Sequence, residues 1–187
     1  MFKVLPHLES NIIFLGDSIT EECEWVELLD NPHVKNRGIS GDTIDRVLNR
    51  LEEVVNSKPK KIFLMVGIND LLYSGKSVQN ISKNYRNLLL NIQTKTPKTK
   101  VFIQSVLPVN NTTRLWIDNK NVLELNLYLI KLAHEFSFQY IDLFSHVSNS
   151  QDQLDVQYTE DGVHLNGQAY LVWKEVIEKY VFAPESE

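Results

Sequence analysis

Apolar residues fall along this chain in two alternating rhythms. Short, largely apolar runs occur at Asn11 to Leu15, Lys61 to Val66 and Lys100 to Ser105, with weaker ones at His33 to Asn36 and Gln139 to Asp142. Their length and polar boundaries predict strands, and the near-continuous apolar character of IIFL, KIFLMV and VFIQSV predicts strands covered on both faces. HVKN is more polar and suits a sheet edge. Between these runs lie stretches with helical spacing, at Glu22 to Leu29, Thr43 to Asn56, Ser77 to Thr94, Asn119 to Phe136 and Gly167 to Tyr180. In the second of them Ile44, Val47, Leu48, Leu51, Val54 and Val55 recur on one face, with charges on the other.

Regular β-α alternation implies right-handed crossovers. The expected fold is therefore α/β: a three-layer α/β/α sandwich on a five-stranded parallel sheet, in the flavodoxin-like order 2-1-3-4-5. Such sheets bind ligands beyond the carboxyl ends of their strands. That rule gives four segments one address: Ser18 after the first strand, Gly38 to Asp42 after the second, Asn69 after the third, and the loop opened by Pro108 after the fourth.

Composition narrows the picture. A chain of 187 residues with 43% apolar content suits a single domain spanning 1–187, and no repeat, linker or low-complexity tract divides it. The 19 basic and 24 acidic residues leave a net charge of -5 without basic clustering, which argues against a nucleic-acid partner. One cysteine, Cys23, cannot close an internal disulfide, and the ligand spacings of a zinc site are missing. Neither metal nor organic cofactor is expected. No apolar run reaches bilayer length and no signal-peptide pattern opens the chain, so the expected location is cytoplasmic, or secreted or periplasmic if a leader was removed. Oligomeric state is not written in the pattern.

Chemistry concentrates in three patches. Ser18, in Gly16-Asp17-Ser18, fits either a nucleophile or a helix N-cap, with Gly16 allowing a tight exit from the strand. Asn69, in Gly67-Ile68-Asn69-Asp70, fits either an amide donor to an oxyanion or a strand-closing turn. Asp161 and His164, in Asp161-Gly162-Val163-His164, fit a carboxylate orienting an imidazole base, or a solvated acidic turn. The glycine-rich Gly38 to Thr43 segment offers backbone N–H groups to a developing anion, or Asp42 or Thr43 as a helix cap. Asp17 and Asp70 read best as acceptors for loop N–H groups. Leu115, Trp116 and Ile117 form an apolar trio in a polar loop, suited either to substrate contact or to packing on the following helix.

Together, and in this order, the patches resemble those of the SGNH hydrolases, the GDSL esterases and lipases, over nearly the whole chain. Block I resembles Phe14-Leu15-Gly16-Asp17-Ser18, block II Asn36 to Thr43, block III Gly67 to Asp70 and block V Asp161 to His164; Ile19 stands where GDSL has leucine. The continuation of block II as GDTIDRVLNRL is closest to the small platelet-activating-factor acetylhydrolase-like members. The resemblance implies Ser18 as nucleophile, His164 as general base and acid, and Asp161 as its orienting group. It also implies an oxyanion hole from the backbone N–H groups of Ser18 and Gly41 and the side-chain amide of Asn69. The implied activity is hydrolysis of small-molecule carboxylic esters, with acyl transfer by the same residues as the alternative. A flavodoxin-like binding module is less consistent with the residues, because GxGxxG and the P-loop pattern are both missing, and an α/β-hydrolase lacks its GxSxG elbow.

Overall fold

The computed structural model describes residues 12–111 and 118–184. In chain order the elements are β1 (Ile12–Gly16), α1 (Ser18–Glu21), α2 (Trp25–Leu28), β2 (Val34–Gly38), α3 (Ile44–Asn49), α4 (Leu51–Asn56), β3 (Lys61–Met65), α5 (Ile68–Tyr73), α6 (Val78–Lys95) and β4 (Lys100–Gln104). They continue with α7 (Asn119–Phe136), β5 (Gln139–Ile141), α8 (Phe144–Val147), a 3-10 turn (Val156–Tyr158) and α9 (Gly167–Val181). The strands are all parallel, in the order β2-β1-β3-β4-β5. This is the expected α/β topology.

The chain steps one way from β1 to β2 and the other way from β2 through β3 and β4 to β5. Right-handed crossovers therefore place α1 and α2 on one face and α3 to α7 on the other. The direction reverses between β1 and β3, which opens a crevice at their carboxyl ends. Ser18 follows β1 and Asn69 follows β3, so both stand at this switch point.

One face of the sheet carries an aromatic ladder set by register. Phe14 lies opposite Phe63, and Phe63 opposite Phe102. Their rings stack at 4.8 and 4.6 Å, and Trp25 of α2 continues the stack onto Phe14 at 3.9 Å. Trp173 of α9 meets Trp25 edge-on and donates its indole N–H to Gln104 Oε1 at 2.7 Å. Gln104, a polar residue within the VFIQSV run, is thus the partner of a buried tryptophan, so neither group is left unsatisfied.

At the opposite end of the sheet, buried Lys61 donates from Nζ to the carbonyls of Tyr180, Val181 and Ala183 at 2.8 to 2.9 Å. A cation there satisfies the orphan carbonyls of the α9 C-terminus and complements its dipole. It binds the last helix to the central strand.

Three helical expectations change. The helix expected from Glu22 begins at Ser18 and breaks before Trp25, because Asn36 Nδ2 takes the carbonyls of Thr20, Glu21 and Cys23 that would otherwise continue it. The turn lets Trp25 swing into the core. The helix expected over Thr43 to Asn56 breaks at Arg50. Two short helices, α5 and α8, follow β3 and β5 outside the helical stretches named from the sequence. None of the helices among the described residues is long and apolar enough to cross a membrane.

Candidate active site

The β1 exit determines where the serine hydroxyl sits. Gly16 has no room for a side chain, since a Cβ would lie 2.2 Å from Thr20 Oγ1 and 2.3 Å from the Met65 carbonyl. The chain can therefore turn directly from strand to helix. Asp17, not Ser18, caps α1: its Oδ1 accepts from the Ile19 N–H at 3.1 Å. Ser18 occupies the first helical position with its hydroxyl turned to the imidazole, and Oγ lies 3.0 Å from His164 Nε2.

His164 arrives from the far end of the sequence on a loop built to hold it. Asp161 Oδ2 lies 2.6 Å from His164 Nδ1, while Oδ1 accepts the backbone N–H groups of Val163 and His164 at 2.9 and 2.8 Å. Partial burial opposes ionisation of Asp161, but the His164 ring and these two N–H groups outweigh it and hold the carboxyl down at about 2. With the proton on Nδ1, facing Asp161, Nε2 presents its lone pair to the serine. The loop is tethered by Gly162 N donating to Thr159 Oγ1 and by Asn110 N donating to the Gly162 carbonyl at 2.8 Å. Asn110 Nδ2 also donates to the Leu154 carbonyl.

Gly67 adopts φ +138, a conformation that a side chain would strain, and turns β3 into α5. Asn69 sits in the first turn, buried, and donates Nδ2 to the Asp42 carbonyl at 3.0 Å. Its neighbour Asp70 accepts the Ile44 N–H at 3.0 Å. Two adjacent residues of α5 thus fasten it to the loop after β2 and to the start of α3. That second loop, with Gly41 at φ +76, is further held by Ile39 N on the Gly16 carbonyl at 3.2 Å and by Ser40 N on Glu21 Oε2 at 2.7 Å. Thr43 supplies the cap of α3.

Asp17 and Asp70 accept N–H groups at helix N-termini, Ile19 of α1 and Ile44 of α3, where loop N–H groups were expected, and burial sets their acidity. Desolvation pushes Asp17 up to about 7, with the nearby Asp42 carboxylate acting in the same direction. It raises Asp70 to about 6.

Glu22 is the neighbour that the sequence pattern did not single out. Its Oε1 lies 3.8 Å from His164 Nε2. With Glu160, Asp161, His164, Leu165 and Asn166 it lines an open cavity of about 400 Å³ beside the imidazole. A larger cavity of about 630 Å³ lies around Lys61, Thr96 and Phe136, at the other end of the sheet and remote from these residues. Also unforeseen are Asn119 and Asn126 on the buried face of α7. Their amides pair with both the N–H and the C=O of Val109 and Val106, respectively, at 2.8 to 3.0 Å, and hold the segment after β4 extended. Two asparagines seven residues apart on an otherwise apolar helix face were the available signal. Leu115, Trp116 and Ile117 lie outside the described residues.

Comparison with known proteins bears on this constellation. The sequence profile of the GDSL-like Lipase/Acylhydrolase family matches residues 14–172, a span that includes Ser18, Asn69, Asp161 and His164. The chain belongs to this family. It is a carboxylic ester hydrolase. The human platelet-activating factor acetylhydrolase IB subunit alpha2 is 27% identical over 168 residues, covering 87% of this chain and 72% of that protein. A GDSL-like lipase from Bacteroides thetaiotaomicron superposes with a TM-score of 0.82 at 25% identity, covering 96% of this chain and 93% of that one. An acetyl-xylooligosaccharide esterase from Geobacillus Stearmophilus shares the fold at a TM-score of 0.74 and 18% identity, covering 97% of this chain and 100% of that one. In this member of the GDSL-like family the candidate site draws on the carboxyl ends of β1, β2 and β3 and on the loop that precedes α9.

Proposed function

We propose that this GDSL-family hydrolase cleaves small-molecule esters of short acyl chains, acetate foremost, through an acyl-enzyme on Ser18. The observation that carries this reading is the unbroken hydrogen-bonded chain from Ser18 Oγ to His164 Nε2 at 3.0 Å and from His164 Nδ1 to Asp161 Oδ2 at 2.6 Å. A serine hydroxyl becomes an effective nucleophile when a base takes its proton as it attacks. His164 takes that proton, and Asp161, ionised at neutral pH, stabilises the resulting imidazolium.

Charge then accumulates on the former carbonyl oxygen. The backbone N–H groups of Ser18 and Gly41 and the second amide hydrogen of Asn69 receive it, in a site whose donors are already oriented by the fold. His164 returns its proton to the departing alcohol, leaving the acyl group on Ser18 Oγ. A water molecule, deprotonated by the same imidazole, attacks the acyl carbonyl, and collapse of the second tetrahedral intermediate releases the acid and restores the hydroxyl.

The His164 side chain is 37% exposed, so water reaches the general base, which favours hydrolysis over transfer to another alcohol. The open cavity beside the imidazole has polar side chains at five of the six residues that line it, Glu22, Glu160, Asp161, His164 and Asn166 against Leu165, which suits a polar leaving alcohol. The acetylhydrolase name of the human relative supports acetate as the acyl group. O-acetylated sugars and lysophospholipid-type esters are the substrate classes to examine.

Hydrolysis of p-nitrophenyl esters from acetate to decanoate, with wild type and Ser18→Ala in parallel, tests the reading. Activity greatest on acetate and absent in Ser18→Ala is expected. Equal rates in the two proteins sink the serine mechanism, and rates rising toward decanoate sink the short-acyl assignment.

A further inference from the structure

We propose that Arg50 is a positioning residue for the oxyanion hole, a role that rests on the site reading above. The helix expected over Thr43 to Asn56 is interrupted at this residue, which has φ -111 and ψ 9 between α3 and α4. The apolar face runs through the interruption, with Val47, Leu51 and Val54 all buried, so core packing alone does not require a break there. What the break does is carry the Arg50 side chain inward to the carboxyl ends of the strands.

There the guanidinium joins three pieces of the site. Its Nη2 donates to the Arg37 carbonyl at the end of β2, at 2.8 Å, and to the Gly16 carbonyl at the end of β1, at 3.2 Å. Its Nε donates to Asp42 Oδ2 at 2.7 Å. The acceptors belong to two of the donor-bearing segments, Gly16 to that of Ser18 and both Arg37 and Asp42 to that of Gly41, and the third donor, Asn69, is linked to them through Asp42. Gly16 is two residues before Ser18, Asp42 directly follows Gly41, and the Asp42 backbone carbonyl is the acceptor for Asn69 Nδ2. The ion pair is shielded, with side-chain exposures of 14% for Arg50 and 6% for Asp42. Glu53, one turn further on, is held by Arg37 Nε at 2.7 Å.

A planar fork reaching two carbonyls and a carboxylate fixes distance and angle together, which a flexible ammonium does not. Arg50 therefore acts on the reaction through the spacing of Ser18, Gly41 and Asn69, without touching the substrate. Hole geometry matters in the transition state, where the oxygen is charged and tetrahedral, far more than in the ground state.

The test compares wild type, Arg50→Gln and Arg50→Lys on p-nitrophenyl acetate. It also measures inhibition by an alkylboronic acid, whose tetrahedral Ser18 adduct places an oxygen in the hole. Arg50→Gln is expected to lower kcat by about 10- to 100-fold, the scale of an ångström-level misplacement, with KM little changed. The boronate should weaken by the same factor, and Arg50→Lys should not restore either quantity. In an Asn69→Ala background the loss should shrink, because the hole is already broken. Wild-type kcat in Arg50→Gln, full recovery in Arg50→Lys, a loss confined to KM, or an undiminished loss in the Asn69→Ala background would each overturn the proposal.

If Arg50→Gln does not fold, Asp42→Asn decides the matter. It keeps the backbone carbonyl that holds Asn69 and weakens only the ionic contact, so kcat should fall with KM unchanged; an unchanged kcat removes Arg50 from this role. Ser18→Ala assayed alongside separates the two failures. Activity surviving in Ser18→Ala overturns the serine mechanism, whereas an inactive Ser18→Ala beside unaffected Arg50 variants overturns only the positioning role.

Discussion

Asn69 Nδ2 donates to the backbone carbonyl of Asp42 across 3.0 Å, joining the first turn of α5 to the loop after β2. A primary amide carries two N–H donors, so one serves the fold and the other remains for chemistry. Structure and proposed catalysis therefore share a single side chain.

Replacing Asn69 with alanine should lower kcat by about 10²- to 10³-fold, the usual effect of losing one oxyanion donor. It should also lower stability by about 1–3 kcal/mol, because the buried Asp42 carbonyl loses its partner. Steady-state kinetics and denaturant melts on the same preparation measure both. Near-wild-type turnover would remove Asn69 from the hole, whatever happened to stability.

Asp161 should matter through its ionised form. Asp161→Asn keeps an acceptor for the loop N–H groups but does not stabilise an imidazolium, and should lower kcat by about 10⁴-fold. Between the ordinary carboxyl value of 3.8 and the native value of about 2, the unfolded chain takes up a proton that the native state refuses. Its stabilising contribution is therefore complete above the unfolded value and is lost as pH falls through about 2. Acid titration of stability should show this loss in wild type and not in Asp161→Asn; parallel curves would contradict it.

Asp17 has the opposite sign. Below about pH 4 both states hold the proton, between about 4 and 7 only the native state does, and above 7 neither does. The contribution of Asp17 to stability therefore declines as pH rises through that window and then levels off. Asp17→Asn preserves an oxygen to cap α1 and removes the titration, so its stability relative to wild type should improve from pH 4 to pH 7. Thermal melts across this range check the slope of the difference, and a flat difference would count against a raised Asp17.

Lys61→Met should lower stability by about 2–3 kcal/mol, because the variant keeps the buried stem but leaves the carbonyls of Tyr180, Val181 and Ala183 without their charged donor. The site lies at the other end of β3, so kcat on p-nitrophenyl acetate should stay at the wild-type level. Hydrogen exchange should locate the weakening at the end of α9. Unchanged protection there would show that Lys61 does not tether the helix.

Much of this arrangement is legible in the chain. Runs such as KIFLMV announce strands buried on both faces, and the alternation with helical stretches leads to the order 2-1-3-4-5 found in the sheet. The motif residues Ser18, Asn69, Asp161 and His164 are likewise readable, because each stands in a short pattern at a strand end or helix start. Short helices and helix breaks are less legible. Asn36 ends α1 by taking carbonyls more than a dozen residues away, and Arg50 interrupts α3 and α4 while bonded to the ends of two strands. Neither event leaves a local periodicity to detect.

Local apolar patterning and short motifs specify the strands, their parallel order and the residue types available for ester chemistry. Which atoms meet is set by the assembled fold. It made Asp17 the cap and freed Ser18 Oγ, brought His164 across 146 positions to lie 3.0 Å from it, and bonded the Asn69 amide to the Asp42 carbonyl. Such contacts pair buried polar groups distant in sequence, and their partners are chosen only once the sheet has brought the loops together.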